Sequence, residues 1–298
     1  MFRLAHISDP HLGPLPDVSW RDLASKRITG YVNWQRNRAR HHVPEVIDWL
    51  VEALKAQNPD HLAVTGDLVN LALDAEIDLA SAWLKSLGKP CDVSVVPGNH
   101  DAYVPGALDQ ACRAWAPCMA GDGEDEHKAR DEFPYMRVRG RVALIGVSTA
   151  LPTAPFMASG YFRAKQAEKL GVLLNEAGSR GLYRVIMIHH PPVRGVTSPA
   201  HRLFGISLFQ RTVAEHGAEL VLHGHTHKPS SYRIKTKSGG IPVIGVAAAG
   251  QALGGMRPAA QFNLFRISGA PGAWRTILER HGVTSREGKI SQLEETRL

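Results

Sequence analysis

Asp9 and His11 stand two residues apart, and so do His225 and His227. Between these pairs lie Gly66-Asp67-Leu68-Val69-Asn70, Gly98-Asn99-His100-Asp101 and His189-His190-Pro191. In a roughly extended chain, residues i and i+2 point to one side, so each pair can reach a common centre. Gly66, Gly98 and Gly224 each precede a candidate donor, where a missing side chain permits a sharp turn or close approach. Asp9, His11, Asp67, Asn99, one of the His189-His190 pair, His225 and His227 form a set of seven nitrogen and oxygen donors. One ion needs fewer. Two ions sharing a carboxylate fit the count, and Asp67 is the best placed to be shared. With no cysteine in the set, borderline ions such as Mn²⁺, Fe²⁺ or Fe³⁺, and Zn²⁺ are favoured over thiolate-selected ones.

Two such ions, roughly 3.5–4 Å apart, turn bound water into hydroxide at neutral pH and clamp a phosphoryl group during in-line displacement. This predicts phosphoric ester hydrolysis. His100, beside Asn99, needs no metal role. An imidazolium there steadies an equatorial oxygen or gives a proton to the leaving alkoxide. Asn70, three residues beyond Asp67, is placed to orient that imidazole through its amide. An isolated Asp-x-His or His-x-His is ordinary polar surface, and Gly-Asn-His-Asp alone is a plausible turn. Five clusters in order, each ending a predicted strand, are a different signal.

The elements that must position these residues are legible as periodicity. Short apolar runs span Phe2 to Ser8, His61 to Thr65, Asp92 to Pro97, Val142 to Ser148, Tyr183 to Ile188, Glu219 to His223, Ile241 to Ala247 and Gln261 to Ile267. Runs of this length read as strands buried on both faces. Val43 to Gln57 carries the i, i+3, i+4 stripe of a helix, and Asp74 to Gly88, Ala164 to Gly178 and Ser207 to Gly217 are similar. Strands alternating with helices predict an α/β fold with helices outside the sheets. Five strands end in the clusters above, and such loops converge on a crevice at the strands' carboxyl ends.

The ordered set Asp-x-His, Gly-Asp-x-x-Asn, Gly-Asn-His-Asp, His-x-Pro and Gly-His-x-His resembles the calcineurin-like metallophosphoesterase superfamily, and in detail its bacterial cyclic-nucleotide and glycerophosphodiester phosphodiesterase branch. The resemblance runs from Arg3 to about Ile267. It implies a four-layer α-β-β-α sandwich with two mixed sheets and a binuclear site between them. One metal would take Asp9, His11, Asp67 and His227. The other would take Asp67, Asn99, His189 and His225, with His100 as the catalytic residue that binds no metal. The pattern His-x-Pro selects His189 as ligand and leaves His190 to the pocket wall. The implied activity is a phosphodiesterase using a metal-bridging hydroxide, and a homodimer is compatible with the resemblance. A rival on the same core is a pyrophosphatase acting on a membrane-associated nucleotide-sugar lipid. A rival of another class is a metal-free scaffold, whose mark would be missing ligands.

Composition bounds the rest. The 298 residues are 44% hydrophobic, too apolar for disorder, and three cysteines without a CxxC pair point to a reducing, cytoplasmic setting. The amino terminus has no signal-peptide pattern, and the longest uncharged run, 142–162, is broken by Pro152, Pro155 and Gly160. The net charge of +7 is uneven: residues 17–42 hold Arg21, Lys26, Arg27, Arg36, Arg38 and Arg40 against Asp17 and Asp22. Trp20, Leu23, Ala24, Ile28, Tyr31 and Val32 there share one helical face. That predicts an amphipathic cap insertion, set either on the sandwich or on an anionic membrane surface. No aromatic and basic groove for nucleic acid is evident. In the loop after His189, Arg194, His201 and Arg202 are candidates to meet the substrate. Residues 1–281 form the expected domain, and 282–298 a polar tail expected to fray.

Overall fold

The computed structural model describes residues 1–38, 43–124, 133–236 and 239–298. All eight predicted strands and all four predicted helices form, with ends within two residues of those expected. Strands β1 (Phe2–Ile7), β2 (His61–Val64) and β3 (Val93–Val95) pair in parallel. From β1 the same sheet continues antiparallel through β12 (Gln261–Ser268), β13 (Arg275–Val283) and β14 (Ile290–Arg297). In the second sheet β5 (Val142–Val147), β7 (Tyr183–Ile188), β9 (Leu220–His223) and β11 (Gly239–Gly245) are parallel neighbours. Strands β4 (Tyr135–Arg139) and β10 (Ser230–Thr236) close its two edges antiparallel. A two-residue pair, β6 (Gly160–Tyr161) with β8 (Leu203–Phe204), stands apart.

Alternation along the strands builds the layers. Leu144, Val185, Met187, Leu220 and Leu222 face the first sheet and join its core. Their neighbours Ile145, Ile186, Ile188 and Val221 face outward, against Leu170 and Leu174 of α7 (Ala164–Ser179) and Phe209 and Val213 of α8 (Ile206–His216). On the other side α3 (Pro44–Ala56) packs on β12, β13 and β14, and α4 (Asp74–Leu87), α5 (Ala107–Ala114) and α6 (Ala116–Met119) share that core. The result is a sandwich of two mixed sheets with helices on both outer faces. Tyr135 bonds Val95 O across the sheets at 2.9 Å, and Tyr183 bonds Thr276 at 2.6 Å.

Two expectations are corrected. The polar tail does not fray, because residues 290–297 are the edge strand β14, paired with β13 along its length except at Leu293, where the register shifts. Its polarity reflects its place at the sheet edge, where residues 292–297 are all exposed and Glu294 pairs with Arg280 and Glu295 with Arg266. The basic segment is not one amphipathic helix. It breaks into α1 (Trp20–Leu23), α2 (Arg27–Asn33) and a π-turn over Trp34–Arg38. Arg40 lies outside the described residues. Tyr31 packs against the core, while Trp20 is 75% exposed and Ile28 52%. Arg27 fixes α2 to the body by donating to the carbonyls of Leu71 and Ala72. Among the described residues no helix is long and apolar enough to cross a membrane.

Candidate metal centre

The loops after β1, β2, β3, β7 and β9 meet at one end of the sandwich. Two clusters of donors form there: Asp9, His11, Asp67 and His227, and beside them His189, His190 and His225. The pairs converge, but not as extended chain. Asp9, His11, Asp67, His225 and His227 all have left-handed backbone, with φ between 42° and 68°. Five donors in a region that costs non-glycine residues energy mark a site over-determined by its surroundings. Close approach is real at the glycines. A Cβ on Gly98 would sit 2.2 Å from Asp67 Oδ1, and one on Gly224 1.8 Å from Ser8 Oγ.

Backbone carbonyls settle which nitrogen of each imidazole is available, since a carbonyl can only accept. His11 donates from Nδ1 to Val69 O (3.1 Å), which leaves its Nε2 facing Asp67 Oδ2 at 3.7 Å and His227 Nε2 at 3.3 Å. His227 Nε2 in turn lies 3.2 Å from Asp9 Oδ1. His189 donates from Nδ1 to Thr65 O (2.6 Å), which aims Nε2 at Asp67 Oδ2 (3.4 Å) and Asn99 Oδ1 (3.2 Å). His225 donates from Nε2 to His201 O (2.8 Å), so its Nδ1 lone pair confronts the Asn99 oxygen at 2.9 Å. Burial, then the nearby His189, lowers His225 to about 3, so no proton bridges that contact. Two acceptors face each other, as they would around a cation.

Charge tells the same story. Burial alone would raise Asp67, but His189, His100 and His11 hold it well below the usual carboxylate range. Burial opposes the charge on His189, yet Asp67, with Asp9 beyond, raises it to about 9. Asp9, also raised by burial, is brought down to about 2 by His227. The proton that His189 holds against Asp67 occupies the place of a cation, which would displace it. The donor set therefore fits two ions, with Asp67 between both clusters. His190 lies near the second cluster but has no nitrogen to spare. It is neutral, donates from Nε2 to Ala158 O (3.2 Å) and accepts from the Thr149 hydroxyl at Nδ1 (2.8 Å). It is a strut under the loop that carries Phe156 and Met157.

His100 stands beside the first cluster, its ring 4.8 Å from that of His11. Its Nδ1 donates to Asn70 O at 2.5 Å, its backbone N–H to Asp67 Oδ1 at 2.7 Å, and its ring stacks on Tyr103 at 5.3 Å. Asn70 thus orients His100 through its main-chain carbonyl and not its amide, which instead donates to Leu12 O at 2.9 Å and so holds the Asp9-His11 loop. The cavity above the clusters is about 510 Å³ and is lined by Lys26, Arg36, His100, Tyr103, His201 and Arg257 among others. Arg194 and Arg202 do not line it. Arg194 bonds Ser207, and Arg202 lies 4.3 Å over the Phe204 ring.

Three residues escaped the sequence reading. Asp101 accepts from the N–H groups of Asp67, Leu68, Val69 and Gly98 and so welds two ligand loops together. Its signal was present as the last residue of Gly-Asn-His-Asp, which local turn chemistry also explains. Glu76 accepts from Asn70, Leu71 and Leu73. A buried carboxylate on the apolar side of a predicted helix was its only trace. Arg257 donates to His227 Nδ1, and nothing in its local sequence marks it.

The family model for calcineurin-like phosphoesterases matches residues 2–229. Over 189 residues the chain is 31% identical to a Synechococcus protein described as a "probable cyclic nucleotide phosphodiesterase", covering 59% of this chain and 60% of that one. It is 27% identical to a glycerophosphodiester phosphodiesterase of Enterobacter lignolyticus over 64% of this chain and 57% of that one. The chain thus spans less than two thirds of these relatives' lengths. Among solved structures, a dimetal phosphatase from Danio rerio superposes with a TM-score of 0.61 at 12% identity, covering 99% and 98% of the two chains. A purple acid phosphatase from yellow lupin gives 0.58 at 13% identity over 99% of this chain and 53% of that one. At such identities the likeness is one of fold.

Proposed function

Because this chain belongs to the calcineurin-like phosphoesterase family, we propose that its two clusters serve a phosphodiesterase similar to its cyclic-nucleotide and glycerophosphodiester relatives. The observation that carries the reading is the pair of acceptors, His225 Nδ1 and Asn99 Oδ1, held 2.9 Å apart beside an Asp67 that faces both clusters. In this reading Asp9, His11, Asp67 and His227 hold one ion, and Asp67, Asn99, His189 and His225 hold the other. When bound, ions such as Mn²⁺, Fe or Zn²⁺ supply Lewis acidity that activates water and offsets phosphoryl charge. The protein's own groups do the rest. The Asn70 carbonyl keeps the His100 proton at Nδ1 and turns Nε2 to the cavity. An added proton on Nε2 can then pass to the leaving oxygen as the ester bond breaks. Thr65 O and Val69 O fix the tautomers of His189 and His11, so that neither ring must reorganise to accept a cation.

Protein loaded with Mn²⁺ is expected to hydrolyse bis(p-nitrophenyl) phosphate, and chelated protein is not. His100→Asn should cost on the order of 10²-fold in kcat on an alkyl diester but far less on the p-nitrophenyl one, whose leaving group needs no proton. Metal-loaded protein that turns over no diester at all sinks the reading. Equal losses on both substrates would move His100 from proton donor to charge stabiliser.

A further inference from the structure

Outside its metal-binding groups, the described residues that line the cavity carry positive charge and no negative charge to balance it. Lys26 and Arg36 line it from the cap and Arg257 from the loop after β11, and among the described residues the only carboxylate in its lining is Asp67, which already belongs to the clusters. Arg257 sits at His227, close to where a scissile phosphate would lie. Lys26 and Arg36 sit on the wall made by the helical cap. An exposed cation on a solvated helix asks for no explanation. Lys26 is different, because its ammonium is half-buried.

That ammonium donates to Thr153 Oγ1 at 2.7 Å and to Met157 O at 2.9 Å, and lies 4.6 Å from the centre of the Tyr103 ring. All three partners are uncharged. Burial lowers it to about 8, and no neighbouring carboxylate pulls it back. At neutral pH it is a cation withdrawn from water, and among the described residues it has no counter-charge and only two of its three N–H donors are engaged. Tyr103 also stacks on His100, so this cation stands one aromatic ring away from the reacting end of the cavity. Arg36 adds an exposed guanidinium to the same wall, suited to grip a phosphate with two parallel bonds. A plain diester brings a single negative charge, which Arg257 and the metal end absorb.

We propose that Lys26 and Arg36 form a second anion subsite, and that the substrate is a phosphodiester bearing a further phosphate group. The proposal rests on the phosphodiesterase reading for the scissile bond, though not for the subsite itself. Phe156, 82% exposed at the same cavity mouth, offers an aromatic face to the organic part.

Calorimetric titration with three nucleotides tests it, with and without Mn²⁺: thymidine 5′-monophosphate, thymidine 5′-diphosphate and thymidine 3′,5′-bisphosphate. At least one doubly phosphorylated ligand should bind about tenfold tighter than the monophosphate, the worth of one charge-assisted contact. The preference should persist in chelated protein, because the subsite contains no metal ligand. Arg36→Ala, a surface change that leaves the cap's anchors intact, should reduce it, and Arg36→Ala with Lys26→Met should abolish it. Equal affinity for all three ligands overturns the subsite, as does a preference that survives the double variant. If instead the preference is intact while no diester is hydrolysed, the subsite stands and the phosphodiesterase reading falls.

Discussion

Asp67→Ala is expected to lower metal content from two ions per chain to one or fewer, measured on dialysed protein by elemental analysis. Phosphodiester kcat/KM should fall on the order of 10³-fold, about 4 kcal/mol of transition-state stabilisation. The size follows from position. Asp67 Oδ2 lies 3.7 Å from His11 Nε2 on one side and 3.4 Å from His189 Nε2 on the other, so its loss strips a ligand from both clusters. The neighbours suffer as well. Without that carboxylate His189 loses the main influence that favours its charged form, and the His100 backbone N–H loses its acceptor. Asp67→Asn keeps the shape and one oxygen but not the charge, and should fall between wild type and alanine. Full metal content and unaltered turnover in Asp67→Ala would falsify its place between the clusters.

Asp101→Ala should act on folding more than on chemistry. Its carboxylate is fully buried and accepts four backbone N–H groups at 2.8 to 3.2 Å, three from the loop after β2 and one from the loop after β3. Alanine leaves all four donors buried and unpaired, at about 1–3 kcal/mol each before relaxation or water entry. A loss of about 4 kcal/mol or more is therefore expected, against a total of about 5–15 kcal/mol for a typical domain. Urea unfolding of chelated protein measures it free of metal effects. Asp101→Asn retains one acceptor oxygen and should recover part of the loss. A shift below about 1 kcal/mol would mean that water replaces the carboxylate at little cost.

The parts legible in the sequence share one property: each depends on neighbours along the chain. Phe2 to Ile7 or Tyr183 to Ile188 had to be buried strands because an unbroken apolar run has no solvent face to offer. The donors that follow them are confined to the strand ends for the same reason. Strand β14 has no apolar run to mark it, because at the sheet edge residues 292–297 are all exposed, and β13 mixes Thr276, Glu279 and Arg280 with its apolar residues, so no unbroken run marks it either. The apolar spacing of the cap persists across Ala24 to Lys26, where the backbone leaves the helix, so periodicity alone predicts one continuous helix. Asn70 orients His100 through its carbonyl and not the expected amide, since residue type says nothing about whether a side chain or its own carbonyl faces a neighbour.

Residue type and order alone determined that this chain carries seven hard and borderline donors, at the carboxyl ends of five buried strands, in a spacing suited to two ions. Packing alone decided which nitrogen of each imidazole turns to the site, that Asn70 meets His100 through its main-chain carbonyl and not its amide, and that Lys26 has no counter-charge among the described residues. The division is physical. Ligand chemistry belongs to the side chain and travels with the sequence. Tautomer, burial and unbalanced charge belong to whatever the fold brings alongside it.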